Sequence, residues 1–290
     1  MIRTPLTRWF DLTTPVIGAP MAGVSGGALA AAVSRAGGLG MIGVSGSHPA
    51  AFVTEQCAIP AADLLPFGVG LMAWVLDDRP DLLEATVAAQ PGLVSVSFGD
   101  PGPYVGPLHD AGIAVAAQVN TADDVHRAVD AGVDVLVAQG SEAGGHTGQR
   151  ATLPLLQEVL TLTDRPVVAA GGIATGRGMA AALVAGAAGV WIGTPLLSCP
   201  EGSTPLPPGR GCALPTARTP SSPGRSTSPR ASPGPSAGPA VRWPTSSAVR
   251  GTAARRSSGR TPRPRDASSR PGGATTWSRR RSTPGNRSRS

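Results

Sequence analysis

Eight short apolar runs, spread over the first two-thirds of the chain, constrain the fold more than any other feature. They occupy residues 16–20, 39–43, 67–71, 93–97, 113–117, 134–138, 166–170 and 189–193. Runs without polar alternation mark parallel strands covered on both faces. Helical patterns lie between them, clearest over residues 28–35 and 121–130. In the second, Thr121 stands as N-cap, with Asp123 and Asp124 in the first turn. Several helical segments end alike, on Ala36-Gly37, Ala111-Gly112, Ala131-Gly132 and Ala185-Gly186. Glycine there takes a left-handed φ and turns the chain back towards the sheet. The same ending at four places is an internal-repeat signal.

Eight strand–helix units predict an α/β chain folded as a (β/α)8 TIM barrel, complete by Gly193. A doubly wound open sheet is the competing architecture, less usual at eight strands. The domain reading is a barrel over residues 1–204 and a low-complexity tail over 205–290.

Charge divides the chain at the same place. All 25 cations are Arg, with no Lys, as in a strongly GC-biased gene. Residues 1–200 hold 8 Arg and 16 acidic residues, a net of −8. Residues 201–290 hold 17 Arg against Glu201 and Asp266, a net of +15. An acidic front piece is not a nucleic-acid binder by charge. Cys57, Cys199 and Cys212 fit neither a disulfide framework nor a zinc pattern. They read as free thiols in a reducing compartment, and no metal site is expected. Residues 1–12 carry Arg3, Arg8 and Asp11 and no apolar core of a secretory leader. The longest apolar stretch, 179–192, is too short to span a bilayer. The expectation is a soluble, cytoplasmic barrel without a membrane partner.

In such a barrel, ligands bind where the strands end. The sixth run opens into Gly140-Ser141-Glu142-Ala143-Gly144-Gly145-His146-Thr147-Gly148-Gln149. Glycines let backbone approach a ligand, and histidine is suited to proton transfer near neutral pH. His146 is therefore the candidate catalytic residue. Glu142 is a second candidate, which a solvated loop carboxylate explains equally well. Pro20, Met21, Ala22 and Gly23 follow the first strand, and Gln118 follows the fifth. Gly171 and Gly172 follow the seventh, and Gly193 and Thr194 the eighth. Loops after strands 7 and 8 commonly hold phosphate in barrels, which points to a phosphate-bearing ligand. Trp74 and Trp191 read as packing residues, and His48, His109 and His126 as surface residues.

Together these segments resemble the nitronate monooxygenase family, formerly 2-nitropropane dioxygenases, over roughly residues 10–204. The resemblance rests on Ala19-Pro20-Met21-Ala22-Gly23, Gly37-Gly38-Leu39-Gly40, Ala117-Gln118-Val119, the Gly140–Gly148 loop, residues 169–173 and residues 189–194. It implies an FMN-dependent barrel, an oxidoreductase that converts alkyl nitronates and O2 to a carbonyl compound and nitrite. His146 matches the family's active-site histidine. Pro20, Met21, Ala22 and Gly23 match the segment beside the flavin, and Gln118 the flavin-ring contact. Gly144 and Gly145 belong to the histidine loop, and Gly171, Gly172, Gly193 and Thr194 match the phosphate clamp. Many relatives carry Asn where this chain has Gly70, so a contact to flavin or substrate is lost. Flavin-dependent enoyl-[acyl carrier protein] reductases have a similar histidine loop and are the alternative enzyme.

From about Pro205 the apolar periodicity stops, and Pro, Ser, Arg and Gly dominate. Such a segment cannot offset its ordering entropy and is expected to be disordered. It reads as a basic tail able to hold nucleic acid non-specifically, as a Pro-rich linker, or as an out-of-frame translation. The family match ends abruptly near Gly202, which favours the third. A final barrel helix and a helical lid would then be absent. Val190 and Ile192 would lie partly uncovered, and the product would be weakly active or inactive.

Overall fold

Eight strands follow one another with the spacing of the apolar runs. They are β1 (Val16–Gly18), β2 (Gly40–Gly43), β3 (Phe67–Met72), β4 (Leu93–Ser97), β5 (Ala114–Val119), β6 (Val135–Gln139), β7 (Val167–Ala170) and β8 (Gly189–Ile192). The structure, a computed structural model, describes residues 2–203. Every strand pairing is parallel, in the order β1-β8-β7-β6-β5-β4-β3-β2. The two ends of that order meet. Ile17 bridges Leu39 in parallel, Gly18 N–H donates to Leu39 O at 2.9 Å, and Leu39 N–H donates to Val16 O at 2.9 Å. The sheet therefore closes into a (β/α)8 barrel, and the open doubly wound alternative falls.

The helices are α1 (Pro5–Trp9), α2 (Gly27–Arg35), α3 (Ala50–Ala62), α4 (Ala73–Leu76), α5 (Pro80–Ala89), α6 (Gly102–Asp110), α7 (Ala122–Asp130), α8 (Thr152–Leu162) and α9 (Gly176–Val184). A 3-10 turn, Thr194–Ser198, follows β8. Thr121 caps α7 as expected, in a reciprocal box with Asp124. The four Ala-Gly endings share one hydrogen-bond pattern. Gly37, Gly112, Gly132 and Gly186 have φ between +75° and +106°. In each case the next residue's N–H reaches back to the carbonyl of Val33, Leu108, Ala128 or Ala182 at 2.9–3.2 Å. This is the Schellman cap, which satisfies otherwise orphaned carbonyls and re-aims the chain at the sheet.

Two cores result. The outer one lies between strands and helices, with Val69, Val94, Leu136 and Val167 against Leu82, Leu108, Leu155 and Val159. The inner one fills the barrel with Ile17, Met41, Leu93, Val137, Val168 and Trp191. Leu6 of α1 joins the inner core. Its Cδ2 sits where a β-carbon on Gly189 would be, at 2.7 Å, so bare backbone at the start of β8 admits this plug. Val190 is not uncovered as expected. It is 1% exposed, in the outer core with Ala182 of α9, while Ile192 is half-buried. The expected disorder of residues 205–290 concerns positions outside the described residues. No helix among the described residues is long and apolar enough to cross a membrane.

Candidate active site

The inner faces of the strands change character along their length. In β4 the inward positions run Leu93, Ser95, Ser97, in β5 Ala114, Ala116, Gln118, and in β6 Val135, Val137, Gln139. Apolar residues fill the half where the strands begin, and polar ones rise towards the ends. Above them lies a cavity of about 610 Å³, within the range of about 300–1,000 Å³ usual for small-ligand sites. Pro20, Met21, Ala22, Gln118, Gly144, Gly145, His146, Gly171, Gly172, Gly193 and Thr194 all line it. Of the residues that the sequence assigns to catalysis or cofactor binding, only Gly23 stands back from its wall, in the turn after β1 at φ +79°. Gln118 lies within β5, not after it.

The segment after β1 folds inward over glycines of two other strands. A β-carbon on Gly70 would lie 2.3 Å from Pro20 Cγ, and one on Gly43 would lie 2.5 Å from the Met21 carbonyl carbon. Both distances are far inside van der Waals contact, so these positions admit no side chain while the segment stays in place. Gly70 is therefore not a gap where an asparagine is missing. Its space is occupied by the Pro20 ring. Ala19 N–H holds the segment to Ile192 O at 2.7 Å, and the Ser25 hydroxyl holds it to Ala19 O at 2.8 Å.

The loop after β6 is tied down on both sides. Gly140 N–H donates to Ala170 O at 2.9 Å, and Ser141 N–H to Arg150 O at 2.7 Å. The buried Gln139 amide donates to Gly144 O at 3.1 Å. Asn120 donates to the Gln139 carbonyl at 2.7 Å and to Gln139 Oε1 at 3.2 Å. His146, at the exposed tip, rests on aromatic rings. Its ring centroid lies 4.8 Å from that of Trp74, edge to face, and 5.1 Å from that of Phe98. Trp74 is thus not the packing residue expected. It is 46% exposed and stands beside the candidate catalytic group. Trp191 packs as expected, and also lines the cavity.

Glu142 has a structural bond to make. Its Oε2 accepts from Thr152 N–H at 2.8 Å and from the Thr152 hydroxyl at 3.0 Å, latching the loop to the start of α8. Desolvation pushes the Glu142 carboxyl up. Hydrogen bonds from its own backbone, Thr152 and Ser141 outweigh that and hold it below its ordinary value. A lowered folded pKa means that the latch stabilises above the unfolded value of about 4.3. That stability is lost as pH falls through the lowered folded value. Glu142→Gln should lower the thermal midpoint at pH 7, and the difference from the parent should shrink towards pH 3. A difference that stays constant across that range would show that the charge is not what holds the latch.

On the adjoining β7 loop, Gly171 has φ +118° and Gly172 φ +67°. A β-carbon on Gly171 would meet Thr152 Oγ1 at 2.5 Å and Ala143 N at 2.9 Å, so the β6 and β7 loops touch only because that residue is bare. The N–H groups of Gly171 and Gly172 make no hydrogen bond among the described residues. Successive free N–H groups on such a turn form an anion-binding nest. The Thr175 hydroxyl caps α9 nearby, accepting from Gly178 N–H at 3.1 Å. Trp191 adds an indole N–H buried without a partner.

Ser95, Ser97 and Gln139 were absent from the sequence expectations, although period two in β4 and β6 carries the signal. Phe98 gave no such signal. The two described cysteines, Cys57 and Cys199, are free. Burial pushes the Cys57 thiol up to about 12, which leaves it unreactive. His109 is not simply a surface residue, because its Nε2 lies 2.8 Å from Asp134 Oδ2. No group of three or more His, Cys, Asp or Glu among the described residues could hold a metal ion.

Comparison with known proteins agrees with this architecture. A family model described as nitronate monooxygenase matches residues 3–82 and 81–206. A 5-hydroxy-7a-methyl-1-oxo-octahydro-1H-indene-4-carboxyl-CoA dehydrogenase of Rhodococcus jostii is 36% identical, across 70% of this chain and 58% of its own length. The chain thus spans less than two-thirds of that relative. A nitronate monooxygenase of Pseudomonas aeruginosa is 36% identical, across 68% of this chain and 70% of its own. Among solved structures, FabK of Thermotoga maritima superposes with a TM-score of 0.65 at 34% identity, over 70% of this chain and 65% of that one. The family is one of flavoproteins. Its model covers most of the chain and matches the closed barrel with its glycine-lined rim: the chain belongs to the nitronate monooxygenase family.

Proposed function

We propose that this barrel binds FMN and oxidises alkyl nitronates with O2 to a carbonyl compound and nitrite. The observation that carries the reading is one cavity lined by two adjoining loops of unlike chemistry. One holds a histidine on an aromatic support, and the other holds the free N–H groups of Gly171 and Gly172. The residues fit the cofactor. The glycine nest, with Gly193 and Thr194, would hold its phosphate, and Pro20, Met21, Ala22 and Gln118 would flank its ring. Gly144 and Gly145 would give the loop its close approach. The orphaned Trp191 N–H is a buried donor that a polar ligand would satisfy.

When bound, the flavin supplies the two-electron chemistry and the reaction with O2. The protein binds, orients and moves protons. The imidazole of His146 can hold the nitronate oxygens or take the α-proton of the neutral nitroalkane. Gln139 and Asn120 keep the loop in register with the cavity. The location that goes with this reading is cytoplasmic. The Arg-rich tail offers at most non-specific contact with nucleic acid.

The test uses the full chain. It is supplied with FMN and desalted, the retained flavin is identified by chromatography, and O2 uptake with ethyl nitronate is recorded. The expected result is stoichiometric FMN and one nitrite per nitronate consumed. The likeness to FabK fits the alternative enoyl-[acyl carrier protein] reductase. That reading predicts NAD(P)H oxidation by an enoyl thioester and no nitrite. A full chain that retains no FMN and consumes no O2 would leave the inactive product as the reading.

A further inference from the structure

Phe98 has a backbone that its residue type disfavours. It follows the last residue of β4 at φ +64°. A bulky side chain rarely adopts the left-handed region, and one that does is held there by its surroundings. The surroundings are visible. Gly99, at φ +148°, would place a β-carbon 2.7 Å from Ala73 Cβ, so bare backbone lets the β4 loop press against α4. From α4, Trp74 stacks on Phe98 with centroids 5.4 Å apart and planes 25° apart. The Phe98 ring lines the cavity, whereas Trp74 does not and stands behind it. Both rings touch that of His146. Strain at Phe98 and a bare Gly99 thus bring an aromatic ring to the cavity directly beside the candidate catalytic histidine.

We propose that Phe98 is a specificity-determining residue, selecting nitronates that carry an aromatic or extended apolar substituent. This rests on the nitronate reading of the same site. A nitronate held by His146 has the Phe98 ring as its lateral neighbour. A methyl group cannot cover that ring, but a phenyl or pentyl group can, in offset or edge-to-face contact. Leu71 and Met72, on the neighbouring strand β3, add apolar side chains to the same cavity. Trp74 acts as a positioning residue, keeping the Phe98 ring in place from behind.

The test compares kcat/KM for the nitronates of nitroethane and 1-nitro-2-phenylethane, using flavin-loaded full chain. Calorimetric binding of propionate and 3-phenylpropionate, planar anions of the same two lengths, accompanies it. The phenyl compounds should be preferred about tenfold or more, a span that apolar pockets reach. Phe98→Ala should remove most of that preference in both readouts, the long-to-short ratio within each protein being the quantity compared, because loss of a ring that also supports His146 lowers turnover of both compounds. Phe98→Leu should restore part of it. Phe98→Gly relieves the left-handed backbone, so its thermal midpoint should not fall while its preference is lost. Equal preference in the parent and Phe98→Ala would overturn the proposal. If no nitronate turns over, the proposed reaction fails. The carboxylate binding ratio still decides the role of Phe98.

Discussion

His146→Ala is expected to lower nitronate-dependent O2 uptake by about 10²–10⁴-fold, the usual contribution of a positioned acid–base group. Flavin retention should hardly change. The substitution removes a side chain at an exposed loop tip, and the loop is held by other groups. Gln139 holds Gly144, Arg150 O holds Ser141, and Thr152 holds Glu142. The cavity floor and the glycine nest do not depend on the imidazole. The loss should therefore appear in kcat as well as kcat/KM, with the FMN content unchanged. Steady-state oxygen electrode traces, alongside the visible spectrum of the desalted variant, check both points. Turnover within twofold of the parent would remove His146 from the machinery, whatever its place in the cavity.

Gly70→Asn is expected to damage the fold, although it introduces the residue that many relatives carry. Its β-carbon would stand 2.3 and 2.4 Å from two atoms of the Pro20 ring. A proline ring cannot rotate aside, so the backbone of residues 19–22 must move. That backbone is pinned by Ala19 to Ile192 and by Ser25 to Ala19. Overpacking of this kind costs about 2–3 kcal/mol. At roughly 2–4 °C per kcal/mol for a domain of this size, the thermal midpoint should fall by roughly 5–10 °C. Flavin retention should fall as well, because the displaced segment is one wall of the cavity. Gly106→Ala is the control. A β-carbon there meets nothing within 4 Å, and the site lies inside α6. It should stabilise by about 0.5–1 kcal/mol, as alanine replaces glycine in a helix. An unchanged midpoint for Gly70→Asn would mean that the Pro20 segment is free to relocate.

The strand count, the helix endings and the contents of each strand-end loop were legible in the sequence. Thr121 and Asp124 meet within one turn, and the Ala-Gly endings close their caps within six residues. Such features depend on neighbours and on periodicity, which a sequence displays directly. Ser95, Ser97 and Gln139 were legible in principle. Their alternation is masked by the apolar residues between them, and Gln139 falls just past the sixth apolar run. Trp74 and Phe98 were not legible as a pair with His146. They lie 24 residues apart on successive strand-end segments, and what unites them is a left-handed backbone that no propensity favours for phenylalanine.

The sequence alone determined that this chain makes eight strands with helices between them and a glycine-rich histidine loop at the end of the sixth. Each unit is specified by residues a few positions apart, so local chemistry suffices. Only the tertiary structure decided that the sheet closes, through Ile17 and Leu39, and that Pro20 fills the space above Gly70. It also decided that Glu142 serves as a latch and that Phe98 turns towards the cavity. Those outcomes depend on contacts between segments far apart in the chain. Excluded volume at bare glycines settles the positions of Pro20 and Phe98. Hydrogen bonds between loops settle the rest.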